Sequence, residues 1–151
     1  MRSVVVALLI TLAAPVSAAD KNEDKARDAA VAFLKAVKAK DSDAVLKASA
    51  APFIYRDGDK PAVLKDEAAL KAWLKDRLEE IKDADKVPTT VDKLAPFADI
   101  KAKIGDEAAR KMIEDVIGKD GFVAYVAADG KTLPILVRIK DGKAIVVGLA
   151  R

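Results

Sequence analysis

Two aspartate-glycine pairs near the C-terminus, Asp129-Gly130 and Asp141-Gly142, constrain this chain more than any other feature. Asp-Gly accepts the positive φ angles that a two-residue hairpin turn demands, and each pair stands between apolar runs. The runs are Phe122 to Ala127, Thr132 to Lys140 and Ala144 to Ala150. In the middle one Leu133, Ile135, Val137 and Ile139 alternate with Pro134, Leu136, Arg138 and Lys140, which is the period of a strand. The stretch from Phe122 to Arg151 therefore reads as a three-stranded β-meander.

A meander of this kind needs cover. The middle run has one apolar face and one that carries Arg138 and Lys140, so the apolar face must lie on other elements. The last run places Ile145, Val147 and Leu149 on one face and Ala144, Val146 and Gly148 on the other, with no charge between Lys143 and Arg151. Two apolar faces ask for a second neighbour, and a second subunit is the expected one, giving a homodimer through the outer face of the sheet.

The cover for the inner face lies upstream. Ala26, Ala29, Ala30, Phe33, Leu34 and Val37 recur at three- and four-residue spacing and form one stripe of a helix, with Glu23 and Asp24 near its start. Asp41-Ser42-Asp43 stops it and caps a short second helix to about Ala50, which Pro52 ends. Phe53 to Arg56 reads as a brief strand closed by a turn over Asp57 to Pro61. Asp66 caps a helix whose stripe is Leu70, Trp73, Leu74, Leu78 and Ile81. Val87 to Leu94 has the composition of a strand, which Pro88 makes an edge strand or a late-starting one. Pro96 to Ile104 suits a short helix, and Asp106 caps another that carries Ala109, Met112, Ile113, Val116 and Ile117 and stops at Gly118. The order is helix, helix, strand, helix, strand, helices, three strands: one α+β domain.

Residues 1–19 differ from the rest. Arg2 precedes an apolar run from Val4 to Ala14, and Pro15-Val16-Ser17-Ala18-Ala19 supplies small residues for cleavage after Ala18 or Ala19, so the segment reads as a signal peptide. The run is well short of the roughly 20 residues that span a bilayer, and no cysteine is available for a lipid anchor. The expected product is a secreted or periplasmic domain of residues 20–151 without a stable membrane anchor.

Composition excludes several classes of function. The formal net charge is +3 over 151 residues and falls by one when Arg2 is removed; the lysines are dispersed among acidic residues with few aromatics between them, which argues against nucleic-acid binding. The chain has no cysteine and no histidine, so thiol chemistry, a Ser-His-Asp triad and metal sites built on imidazole or thiolate are excluded. Asp57-Gly58-Asp59 and Asp83-Ala84-Asp85 lack the remaining ligands of a calcium loop, and Gly118 and Gly121 are too few for a phosphate cradle. Neither a cofactor nor a metal is expected.

The chain resembles the nuclear-transport-factor-two-like superfamily, also called SnoaL-like or cystatin-like. The resemblance rests on Phe33-Leu34 and Ala36 followed by Asp41, on the helix from Asp66 through Leu70, Trp73 and Leu74, and on Asp141-Gly142-Lys143 leading into Val146-Val147-Gly148-Leu149. It implies a curved antiparallel β-sheet wrapped around three to four helices as a cone, with a pocket inside. The segment from Pro96 to Gly118 departs from the family pattern by its length.

Such a cone supplies the candidate site. Tyr55, Trp73 and Tyr125 stand on elements expected to face the core or its rim, and Arg56 is placed to meet an anionic ligand. Family enzymes of the ketosteroid-isomerase kind use aspartate and tyrosine, and Asp57 beside Tyr55 is the best carboxylate for a general base, provided that burial raises its pKa. No full catalytic set aligns. The leading expectation is a non-catalytic exported domain that binds a small apolar ligand or a protein partner. The alternatives are an isomerase, dehydratase or hydrolase, and a structural envelope protein without a ligand.

Overall fold

The computed structural model describes residues 17–150; residues 1–16, which carry most of the expected signal peptide, and Arg151 lie outside the described residues. Helices α1 (Ala18–Lys38) and α2 (Ser42–Ala48) lead into a hairpin of β1 (Ser49–Asp57) and β2 (Lys60–Leu64). Helix α3 (Glu67–Glu80) follows, then β3 (Lys93–Pro96), the single turn α4 (Phe97–Ile100), α5 (Glu107–Ile117), and the meander β4 (Phe122–Ala128), β5 (Lys131–Lys140) and β6 (Lys143–Leu149). The strands form one sheet in the order β2-β1-β6-β5-β4-β3. With α1 to α3 against its inner face, this α+β arrangement is the curved-sheet cone that the resemblance implies.

Local chemistry accounts for most of these elements. Asp129 and Gly130 have φ of 49° and 72°, and Asp141 and Gly142 have 52° and 72°, so both turns of the meander take the left-handed pair of conformations that favours Asp-Gly. The side chains of Asp41, Asp66 and Asp106 accept backbone N–H groups at the starts of α2, α3 and α5, where four donors otherwise lack partners. Helix α5 ends at Gly118, whose N–H donates to the Glu114 carbonyl at 2.9 Å.

Alternation then sorts the core into two layers. Ile135 and Val137 of β5, Phe122, Ala124 and Val126 of β4, Phe53 of β1 and Val146 of β6 face inward against Ala26, Ala30, Phe33 and Leu34 of α1, Val45 of α2, and Leu70, Leu74 and Leu78 of α3. The opposite side chains, Ile54, Val123, Leu136 and Val147, pack on Phe97 of α4 and on Val116 and Ile117 of α5. The unusual length of Pro96 to Gly118 is thereby explained: it folds back as a lid over the outer face. The outward residue Val147 of the two-sided last strand thus packs on helices of the same chain.

Four features differ from the sequence expectations. First, the sheet is mixed, because β1 runs parallel to β6 while every other pair is antiparallel. Second, the turn at Asp57 to Pro61 opens a further strand, β2; Pro61 is tolerated because β2 is an edge and needs no ladder donor on its free side. Third, α2 stops at Ala48 and Pro52 lies inside β1, in the stretch from Ser49 to Ile54 where pairing with β6 loses register, so Pro52 is not the helix terminator. The segment from Val87 to Leu94, by contrast, behaves as expected: its strand starts late, at Lys93, and Lys93–Pro96 pairs antiparallel to β4 at the edge of the sheet.

The fourth difference shapes the site. Leu136 pairs with Gly148 but Val137 pairs with Val146, so β6 carries an extra residue at this point, a β-bulge. Beyond it the alternation reverses. Val147 faces outward with Ile145, but Leu149, expected to share their face, joins the inner face with Ala144 and Val146.

Candidate functional site

The inner face is not filled to its end. Between α1, α3, the β1–β2 hairpin and the ends of β5 and β6 lies a pocket of about 470 Å³, open to solvent on one side. That volume is within the roughly 300–1,000 Å³ usual for small-ligand sites. Phe33 and Val37 enter it from α1, Trp73, Leu74 and Leu78 from α3, and Tyr55 from β1. Leu133 and Leu149 close the sheet side, and Leu149 is present only because the bulge in β6 turned it inward.

Aromatic packing holds the wall. The Trp73 ring lies 5.2 Å from that of Tyr55 at an interplanar angle of 51° and 5.6 Å from that of Phe53 at 48°. These tilted geometries avoid stacking the negative ring faces on each other. Phe53 is fully buried and anchors the pair, whereas Trp73 and Tyr55 are half-buried and offer surface to the pocket. The indole Nε1 of Trp73 is buried without a hydrogen-bond partner, so the pocket meets the ring and not its polar edge.

The rim is charged. Arg77 stands four residues after Trp73 on α3, which brings its guanidinium carbon 5.6 Å from the centre of the indole ring as a cation–π contact. Its Nη1 is 2.6 Å from Oε2 of Glu80, and both side chains are exposed. Arg56 also lines the pocket and donates from Nη2 to the Asp59 carbonyl at 3.3 Å. Lys40 adds a third cation close by, its Nζ donating to the carbonyl of the lining residue Ile81.

The expected site residues are therefore divided. Tyr55, Trp73 and Arg56 come together in one pocket. Tyr125 does not join them, because it sits on the outward positions of β4 and borders a separate cleft of about 480 Å³ with Asp92, Lys93, Ile104 and Thr132. Asp57 is exposed at the end of β1, opposite Lys60, and is outside the pocket lining, so it lacks the burial that a neutral-pH base would need. Of the pocket residues that were not anticipated, Arg77 had a legible signal in its four-residue spacing from Trp73. Leu149 had none, since alternation assigned it to the other face.

Chemically, the arrangement offers an apolar floor, an aromatic wall and a basic rim. Glu80 is the carboxylate of the lining, and its oxygen is engaged by Arg77. Among the described residues no three acidic side chains come together as a cation site.

No family model matches the sequence, and no curated protein matches it. Among solved structures, the chain is similar to a variant of a protein named Rd1NTF2_05, with 13% identity, a TM-score of 0.47, and 83% of this chain and 95% of that one covered. It is also similar to a structure described as a calcium/calmodulin dependent protein kinase II association domain from Xanthomonas campestris, with 10% identity, a TM-score of 0.38, and coverage of 78% and 76%. Both likenesses concern the fold alone.

Proposed function

We propose that this protein is an exported binding domain that holds a small, largely apolar ligand in the pocket between α1, α3 and the sheet, without transforming it. The observation that carries the reading is the solvent-open pocket of about 470 Å³ whose walls are Phe33, Tyr55, Trp73, Leu133 and Leu149. Apolar surface left facing water at a concave site is stabilised by a guest at about 25 cal/mol per Å² removed from water. A binding role is preferred to the isomerase, dehydratase or hydrolase alternative because the residues proposed for catalysis are dispersed: Tyr125 lies across the sheet from Tyr55, and Asp57 is exposed.

The experiment uses a reporter that the chain contains. Trp73 is its single tryptophan and lines the pocket, so a guest there changes its emission. Decanol, titrated below its solubility limit, is expected to shift Trp73 fluorescence saturably and to raise the melting temperature. Leu149→Arg, which puts a charged side chain in the pocket wall, is expected to abolish both responses. A parent protein that responds to neither decanol nor any other ten-carbon amphiphile would leave the envelope-scaffold alternative in its place.

A further inference from the structure

We infer that the ligand of this pocket is a single-chain amphiphile with an anionic head, a carboxylate being the simplest case; the inference rests on the binding reading above and adds the sign of the head group. The charges at the rim carry it. Two guanidiniums, Arg56 and Arg77, line the pocket against the one carboxylate of Glu80. Glu80 is spoken for, with its Oε2 2.6 Å from Arg77. That contact neutralises Arg77, while among the described residues Arg56 has no carboxylate partner. Among the described residues the Arg56 side chain makes a single hydrogen bond, to a neutral carbonyl, and no carboxylate comes within 4 Å of it, although Asp57 and Asp59 follow it in sequence. Lys40, held at the Ile81 carbonyl, adds positive potential beside the same opening.

The pocket agrees with this division. Most of the lining, with Phe33, Val37, Leu74, Leu133 and Leu149, offers no hydrogen bond from a side chain, and apart from the Tyr55 hydroxyl the polar groups open to a head are the charged ones of the rim. At the mouth an arginine presents a planar fork of donors that matches a carboxylate better than a hydroxyl. A hydrocarbon tail inside and an anion at the arginines satisfies both regions at once. A cationic head would meet like charge at the same place.

Three ten-carbon probes of different head charge test this: decanoate, decanol and decyltrimethylammonium, each kept below its micelle concentration and read by Trp73 emission and melting temperature. Decanoate is expected to bind about tenfold tighter than decanol, a difference of about 1.4 kcal/mol. Added salt should narrow that ratio, because the rim is exposed. In Arg56→Gln the preference for decanoate over decanol should be lost. Arg77→Gln serves as a second variant; it frees Glu80 and should weaken decanoate as well.

The outcomes separate the two readings. Equal affinity for decanoate and decanol, or a preference for the ammonium, would overturn the anionic class while leaving the pocket as a site for apolar guests. An unchanged preference for decanoate in both arginine variants would overturn the assignment of the head to this rim. No response to any of the three probes would remove the pocket reading itself.

Discussion

Gly148 of β6 lies against Ile54 of β1 so closely that a Cβ on the glycine would fall 2.8 Å from the Ile54 carbonyl oxygen and 3.0 Å from the Ile54 Cβ. This is the contact through which the parallel β1–β6 pair joins the N-terminal hairpin to the meander. The same Cβ would sit 2.9 Å from a methyl group of Leu136, so neither the neighbouring strand nor the outer core has room for it. The glycine is required for close approach of two backbones rather than for an unusual φ.

Gly148→Ala should therefore destabilise the protein by about 1–3 kcal/mol, the range for overpacking a filled site. Chemical denaturation of the parent and the variant measures it. Loss of less than about 0.5 kcal/mol would mean that the two strands separate easily, and that β1 is not held as described.

Trp73 and Leu74 are neighbours on α3 with opposite expectations. Leu74 is 3% exposed, and Leu74→Ala should cost about 2–5 kcal/mol. Trp73→Phe keeps a ring against Tyr55 and Phe53 and removes the indole N–H that has no partner, a group whose burial costs about 1–3 kcal/mol. Lost area and recovered desolvation offset each other, so its melting temperature should stay close to that of the parent. A marked fall would show that Nε1 has a partner in solution.

The aspartate caps allow a graded test. The carboxylate of Asp106 accepts two backbone N–H groups, from Ala108 at 2.9 Å and Ala109 at 3.1 Å, whereas Asp66 accepts one, from Ala69 at 2.8 Å. Asp106→Ala and Asp66→Ala should each cost about 1 kcal/mol, with Asp106 the larger, and the asparagine variants should recover most of it. Equal stability of the alanine and asparagine forms would argue against capping as the role of these side chains.

Helix α5 as the cover of the outer face has a consequence for assembly. Ile117 is fully buried against the outward residues of the sheet, so Ile117→Ala should cost about 2–5 kcal/mol. Because the cover belongs to the same chain, the loss in the variant should be the same at low and high protein concentration. A loss that changes with concentration would instead mean that a second subunit shares this face.

What the sequence determined by itself was whatever depends on neighbours a few residues apart. The Asp-Gly turns, the aspartate caps, the stop at Gly118 and the stripes of α1, α3 and α5 are local effects of φ preference, capping and periodicity, and all appear where those rules put them. Tyr55 and Trp73 border the pocket on elements expected to face the core or its rim, but the same was expected of Tyr125, which borders the other cleft. Only the tertiary structure decided what depends on contacts far apart in the chain: the parallel pairing of β1 with β6, the use of α4 and α5 as an outer lid, and the bulge that turns Leu149 inward while Tyr125 stays on the far side. One residue inserted in a strand reverses every later side chain, and no local preference announces it, since it is imposed by the strand on the other side.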